Sequence, residues 1–419
     1  MKIVDLQVVR FRVPAYNGFN VAGHQHPVSG RWSEEALIRI VTDEGAEGVY
    51  VSSQRHFEPT DKFPFERLPD LSAGGGREGS FQVNSSSWDV LLKTVRPHLI
   101  GEDPFCRERI WRKLSGLQRS FPKLTDRILA MIDLTLWDLA GKVSKLPVYK
   151  LLGGHREKVK AYASTMVGDH YKGGLSTPEE YADFAEACKK QGYKAFKLHT
   201  WMDEVWTPST IMATPDPLRD VEACRAVRER VGGDIVLMLD PYHTYSRQQA
   251  LTIGRELEKL NYYWLEEPMN EYSVSSYAWL SEQLDIPVIG PESHAGKIYA
   301  RTEWVIHKAA DILRAGVMGV GGLTPFMKIV HLAEAFGIPL EAHSPGVGTL
   351  HAIASMSIPG EYYERGLLHP FLNYDVTPPW LNEMVDPMDE EGFISVPQGP
   401  GLGVDINYDY IERQRIIEE

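Results

Sequence analysis

The sequence predicts an α/β protein: a TIM-type (β/α) barrel behind an N-terminal α+β capping domain, which the C-terminal segment returns to complete. Two observations carry this. From about residue 159 onward, eight short apolar or β-branched runs alternate with helix-period stretches, the pattern of successive βα units feeding a parallel sheet. Three consecutive runs also end in a carboxylate, Asp240, Glu266 and Glu292; the steps 240 to 266 and 266 to 292 are both 26 residues, so equivalent positions of neighbouring units line up on one rim. A length of 419 residues, 43% hydrophobic and 24% charged, exceeds one small core. The expected division is 1–142 for the cap, 143–375 for the barrel and 376–419 for the returning segment.

Taken in order, residues 2–13 read as a strand and 35–52 as a hairpin turning at Thr42-Asp43-Glu44-Gly45. Periodicity is lost over 55–87, where Pro, Ser and Gly74-Gly75-Gly76 make a loop too long for a simple connection and suited to a lid. Helical patterns follow at 88–99, 104–117 and 126–142. The barrel strands are expected at 159–164, 195–199, 235–240, 262–267, 287–292, 311–313, 339–343 and 362–364. In such a barrel, reactive groups gather at the carboxyl ends of the strands.

Composition narrows the function. A formal net charge of −13 leaves no general basic field for nucleic acid or anionic lipid. No run approaches 18 apolar residues, and Met1-Lys2-Ile3-Val4-Asp5 lacks the order of a signal peptide, so a cytoplasmic location is expected. Cys106, Cys188 and Cys224 are scattered with no spacing that suggests zinc or a disulfide, and read as small buried or neutral residues.

Three carboxylates aimed at one place repel each other unless a hard cation joins them, and Mg²⁺ prefers such oxygen ligands. Asp240, Glu266 and Glu292 are therefore the candidate metal ligands, while Glu267, next along its strand, faces the other way and reads as structural. On the second barrel strand, period-2 alternation puts Lys197 and His199 on one inward face beside that metal. An imidazole there can act as a base near neutral pH without the large pKa depression a lysine needs.

Five segments in this order resemble the enolase superfamily, in particular its mandelate racemase and muconate lactonizing enzyme subgroup: 131–142, 146–154, Trp264-Leu-Glu-Glu-Pro268, Gly321-Gly-Leu-Thr324 and Pro400-Gly-Leu-Gly-Val404. The resemblance covers nearly the whole chain and implies one Mg²⁺ on Asp240, Glu266 and Glu292. The subgroup's Lys-x-Lys is here Lys197-x-His199, which makes His199 the counterpart of a proton-abstracting lysine and Lys197 a neighbour of the substrate carboxylate. His343, on the seventh strand, matches the family's second acid/base group, but Gly316 stands where an aspartate would orient it. Either another acid orients His343 or its ring is less basic. Glu364 matches an acid that meets the substrate carboxylate or the bound enolate. Some acid-sugar dehydratases of the superfamily carry a histidine two residues beyond the third-strand acid; here Tyr242 holds that place and His243 follows. A cap loop closes over the site in the family, so His24, His26 and Arg31 are expected to meet the distal end of the substrate, Arg31 suiting a second carboxylate.

The reaction favoured is Mg²⁺-assisted removal of the proton α to a carboxylate, then loss of the β-hydroxyl from an acid sugar. Polar loops at 55–87 and 200–217 are large enough to enclose such a substrate. Racemisation or epimerisation of a 2-hydroxy acid ranks second and cycloisomerisation lower. A catalytically inactive binding protein is the remaining alternative, motivated by Gly316. The resemblance also implies a homo-oligomer, a dimer or an octamer.

Overall fold

A computed structural model describes residues 1–19, 24–68, 88–201 and 216–416. The cap opens with a meander of β1 (Ile3–Phe19), β2 (Gln25–Thr42) and β3 (Glu47–Val51), whose inward Ile3, Leu6, Ile38 and Ile40 are buried. The turn falls where the sequence places it, with Gly45 at φ 76° and its N–H donating to Thr42 O at 3.1 Å. The first strand is longer than expected, running past Pro14 to Phe19, while β2 begins at Gln25 rather than near 35. A register shift between Ala15 and Asn17 lets the ladder continue through a segment that looks like a break. The extra length carries the hairpin arm, with His24 at its end, out to the barrel.

The helix Asp126–Ser144 joins cap to barrel. Its Thr125 side chain caps it by accepting from Ile128 N, and Lys145 in the left-handed region ends it. Apolar residues surround it: Leu129, Ile132, Leu136 and Leu139 are all buried, each worth about 1.5–3 kcal/mol. Its two buried acids satisfy backbone elsewhere. Asp133 accepts from Thr324 N and Oγ1 at 2.9 and 2.6 Å, on the barrel. Asp138 accepts from Val49 N of the cap sheet at 2.8 Å and from Leu402 N of the C-terminal tail at 2.9 Å. Gly48 is required here, since a Cβ would come within 2.1 Å of Thr135 O. The expected helix at 88–99 is instead a π-helical turn, Val90–Val95, followed by the single helical turn Arg96–Leu99.

The barrel strands are β5 (Lys158–Thr165), β6 (Ala195–His199), β7 (Val236–Asp240), β8 (Trp264–Glu266), β9 (Val288–Gly290), β10 (Ile312–Gly316), β11 (Leu340–His343) and β12 (Tyr362–Leu368). They pair in the order β11-β10-β9-β8-β7-β6-β5-β12. The end strands β11 and β12 meet through Leu340 N to Pro359 O at 2.9 Å and through the Glu341 carboxylate, which accepts from Glu361 N and Tyr362 N. The sixth strand begins and ends later than expected, so Asp311 lies just before it and accepts from Val288 N. Inward residues Tyr162, Ala195, Met238, Trp264, Ile289, Ile312 and Tyr362 form an apolar plug. Two residues further along six of these strands, the inward positions turn polar: Ser164, Lys197, Asp240, Glu266, Arg314 and Glu364, all buried. The plug keeps water from that layer on its lower side.

The C-terminal segment divides. Phe393–Ser395 (β14) adds an antiparallel strand to β5, while Arg12 N donates to Gln414 O and Ile416 N to Arg10 O along the cap. Glu58–Pro59 (β4) pairs with Leu372–Asn373 (β13), fastening the start of the 55–87 loop to the barrel. Cys188 and Cys224 are buried, Cys106 is half-buried, and all three are free thiols. Among the described residues no helix is long and apolar enough to cross a membrane.

Candidate active site at the carboxyl ends of the barrel strands

The polar layer is a set of acids stitched together by two buried cations. Lys197 Nζ lies 2.9 Å from Glu266 Oε2, 3.2 Å from Asp240 Oδ2 and 3.2 Å from Glu364 Oε1. Burial alone would lower its pKa, but Glu266, Glu364 and Asp240 hold it well above the ordinary lysine range. These three acids favour the protonated, positively charged form of Lys197. Arg314 is the second cation, with Nε 2.8 Å from Glu266 Oε1 and 3.5 Å from Glu292 Oε2. Its Nη2 lies 3.0 Å from both Glu364 Oε2 and the Tyr162 hydroxyl, and its Nη1 donates to Ala342 O at 3.1 Å. The sequence reading missed Arg314; the signal was available, because period-2 alternation back from Gly316 turns it inward.

The donor set fits Mg²⁺. Asp240, Glu266 and Glu292 offer hard carboxylate oxygens, and the shared cations draw all three to one layer. Glu266 Oε1 is buried without an aligned hydrogen bond, since Arg314 Nε approaches it closely but off-angle. Burial, together with Asp240 and Glu292 and against Arg314 and Lys197, pushes the Glu266 carboxyl up to about 7. That is the electrostatic condition a divalent cation relieves. Lys197 and Arg314 stand between the three acids, and the compact His/carboxylate group among the described residues is a different one, His243, Glu267 and Glu271.

Two histidines border the layer from different strands. His199 is held at both ring nitrogens: Nδ1 lies 2.6 Å from Thr165 O, and Nε2 lies 2.9 Å from Asp240 Oδ2. Its backbone is fixed as well, by Thr165 Oγ1 at 2.9 Å and by the Tyr181 hydroxyl at 2.6 Å. Both ring partners are acceptors; Nε2 is the nitrogen turned into the polar layer, and it can serve a substrate proton once a bound cation takes Asp240 Oδ2 from it. His343 lies five strands away in one direction and three in the other, its side chain a third exposed, with Nε2 3.0 Å from Glu292 Oε1. A Cβ on Gly316 would sit 3.1 Å from His343 Nδ1, so the position of the missing aspartate does face this ring. Glu292 takes over as its carboxylate partner. Burial lowers the His343 pKa, but Glu292 more than reverses this and raises it; burial opposes the effect on Glu292, yet His343 brings that carboxyl down to about 2.

The residues expected to contact the substrate, His24, His26 and Arg31 from the cap and Tyr242 and His243 beyond Asp240, separate into two groups. The His24 ring stands 4.4 Å from that of His199 and 5.3 Å, edge-on, from Tyr242. Burial, then His199, lowers its pKa to about 3, so it remains neutral above the site. Tyr242 N donates to Asp240 Oδ1 at 3.0 Å. The other three are turned elsewhere. The His26 ring donates back to Pro27 O at 3.0 Å, and Arg31 Nη2 donates to Asn17 O on the facing strand at 3.1 Å. His243 faces Glu267 and the loop after β8, with Nδ1 3.1 Å from Met269 O. The lid reading of 55–87 and 200–217 falls largely on residues 69–87 and 202–215, outside the described residues.

Comparison with known proteins identifies the family of the chain. Residues 180–410 match the family profile described as enolase C-terminal domain-like, and residues 32–153 match the mandelate racemase / muconate lactonizing enzyme N-terminal domain. An arabinonate dehydratase of Saccharolobus solfataricus is 31% identical over 362 residues, covering 84% of this chain and 87% of its own. An L-talarate/galactarate dehydratase of Salmonella typhimurium is 28% identical over 340 residues, covering 80% and 78%. The crystal structure of a D-glucarate dehydratase from Agrobacterium tumefaciens complexed with magnesium superposes with a TM-score of 0.87 at 46% identity, covering 100% of both chains.

Proposed function

Because the chain belongs to the enolase superfamily, in its mandelate racemase / muconate lactonizing enzyme group, we propose that it is a Mg²⁺-dependent hydro-lyase that converts an acid sugar, an aldonate or aldarate, to a 2-keto-3-deoxy acid. The observation that carries this reading is the pair of histidines set against one carboxylate layer, His199 on Asp240 and His343 on Glu292. Dehydration of a hydroxy acid needs a base for the α-proton and an acid for the departing hydroxyl. Bound Mg²⁺, with Asp240, Glu266 and Glu292 as its proposed ligands, supplies Lewis-acid stabilisation of the charge that builds on the substrate carboxylate.

The chain's own groups divide the remaining work. His199 Nε2 takes the α-proton, while Thr165 O holds Nδ1–H and so fixes the tautomer. Lys197, kept protonated by its three acids, offers positive charge to the enediolate. Glu364, held ionised by Lys197 and Arg314, accepts from Ser344 N at 3.0 Å and fixes the residue after His343. His343, its pKa raised by Glu292, is suited to carry the proton handed to the leaving hydroxyl. His24 covers His199 from the cap and excludes water from that face, with Tyr242 beside it to meet the sugar hydroxyls.

Purified protein with Mg²⁺ is screened against aldonates and aldarates, reading 2-keto acid as its semicarbazone absorbance. At least one acid sugar gives product. If acids exchange their α-proton with solvent deuterium but none yields a 2-keto acid, the reaction is racemisation or epimerisation; if none does either, the proposal fails.

A further inference from the structure

One group of side chains beyond the polar layer is built like a cation site: His243, Glu267 and Glu271, with one ligand atom from each lying within 4.8 Å of the others. Glu267 is fully buried, and neither of its carboxylate oxygens accepts a hydrogen bond. A carboxyl group sealed from water with no hydrogen-bond partner is disfavoured. The nearest ring does not relieve it. His243 Nδ1 lies 3.1 Å from Met269 O, so that nitrogen is committed to the backbone and Nε2 is the one facing Glu267 Oε1, at 3.4 Å. The gap between Nε2 and Glu267 Oε1 is one that a cation can fill.

Glu271 completes the cradle. Its carboxylate accepts from the backbone N–H groups of Glu292, Ser293 and His294, the last two at 2.6 and 2.7 Å. A carboxylate has about four lone-pair positions, so one remains for a ligand bond. His243 keeps about a quarter of its side chain exposed, at 24%, which gives an ion and its waters a way in.

We infer that His243, Glu267 and Glu271 form a second divalent-cation site, separate from Asp240, Glu266 and Glu292. One imidazole nitrogen with two carboxylates suits Mn²⁺ or Zn²⁺ better than Mg²⁺, which favours an all-oxygen shell. Bonds of about 2.0–2.2 Å keep ligand atoms roughly 3–4 Å apart, so occupancy draws the three side chains slightly inward. Glu267 adjoins Glu266, and Glu271 holds the backbone of Glu292, so an ion here stiffens the rim from which two proposed Mg²⁺ ligands project.

Equilibrium dialysis of the full chain against Mn²⁺, with free ion counted by electron paramagnetic resonance, tests this. Wild type binds two ions per chain. Glu267→Gln and His243→Asn each bind one, as does Glu266→Gln, and the double variant Glu266→Gln/Glu267→Gln binds none; circular dichroism checks that each is folded. A single ion in wild type, lost in Glu266→Gln and retained in Glu267→Gln, overturns the second site and leaves the proposed Mg²⁺ ligands standing. A single ion lost in Glu267→Gln but retained in Glu266→Gln overturns both assignments. Two ions in folded Glu267→Gln and His243→Asn also overturn the second site.

Discussion

Replacing Arg314 with methionine keeps an unbranched apolar stem and removes the guanidinium that touches Glu266, Glu292 and Glu364. Lys197 is then the one remaining cation in contact with Glu266 and Glu364 among the described residues. Taking one member out of a buried ion network costs about 3–5 kcal/mol, because the charges left behind stay desolvated. An unfolding entropy of about 2.1 cal/mol/K per residue gives about 0.9 kcal/mol/K for 419 residues, so the metal-free variant melts about 3–6 °C below wild type. Mg²⁺ at one hundred times its Kd stabilises wild type by about 2.7 kcal/mol, or about 3 °C. In Arg314→Met the ion no longer competes with the guanidinium for Glu266, so the Mg²⁺-dependent rise exceeds that of wild type. Scanning calorimetry in chelator and in saturating Mg²⁺ reads both quantities. An unchanged metal-free Tm, or a Mg²⁺ response no larger than wild type, refutes the reasoning.

Glu266→Gln replaces a proposed ligand by an amide of similar size, so the protein stays folded while calorimetric Mg²⁺ titration shows the heat of binding lost from this site and activity falls by at least a hundredfold; unaltered affinity counts against the ligand assignment. His199→Asn abolishes solvent-deuterium exchange at the substrate α-carbon, whereas His343→Asn keeps exchange and stops product formation; the reverse pattern exchanges the two roles. His351 is buried, accepts from Tyr149 N and meets Leu402 O, and burial lowers its pKa to about 4. A depressed folded-state pKa gives stability that is present above the unfolded value of 6.5 and is lost as pH falls toward 4, at about 1.4 kcal/mol per pH unit. His24 and His56, at about 3 and about 4 through burial, act in the same direction. Wild-type Tm therefore falls across pH 6.5 to 4, and His351→Asn shows a shallower fall even though it starts lower; parallel curves contradict the linkage.

Much of the site was legible because a barrel strand alternates with period two and ends at a known rim. Asp240, Glu266, Lys197 and His199 follow from that rule alone, Glu364 follows from the family resemblance, and all lie in or beside the buried layer. Arg314 escaped notice because a charge inside a short apolar strand argues against burial until its partners are known, and those partners come from β8, β12 and the end of β9. His243 could not be placed from spacing. Tyr242, His243 and Glu267 adopt φ values of 50°, 64° and 28°, and that local twist turns His243 toward Glu267. The reach of β1 was hidden by Pro14 and Asn17-Gly18, which read as a break but sit on a strand at the edge of its sheet, where a missing N–H and a register shift are tolerated. The replacement of the missing aspartate partner by Glu292 depends on a contact between two strand ends that no single segment encodes.

The helix Asp126–Ser144 bears on how such a chain can diversify by inheritance. Asp133 is committed to Thr324 of the barrel, and Asp138 to both Val49 of the cap and Leu402 of the tail. Recombination that exchanged only the cap for a foreign one would break an agreement among three distant stretches of the gene at once, leaving buried carboxylates or buried amides without partners. A cap exchanged alone would have to bring its own partner for Asp138. Heritable change that respects this clamp has to leave Asp133, Asp138 and their three partner segments together while altering side chains elsewhere.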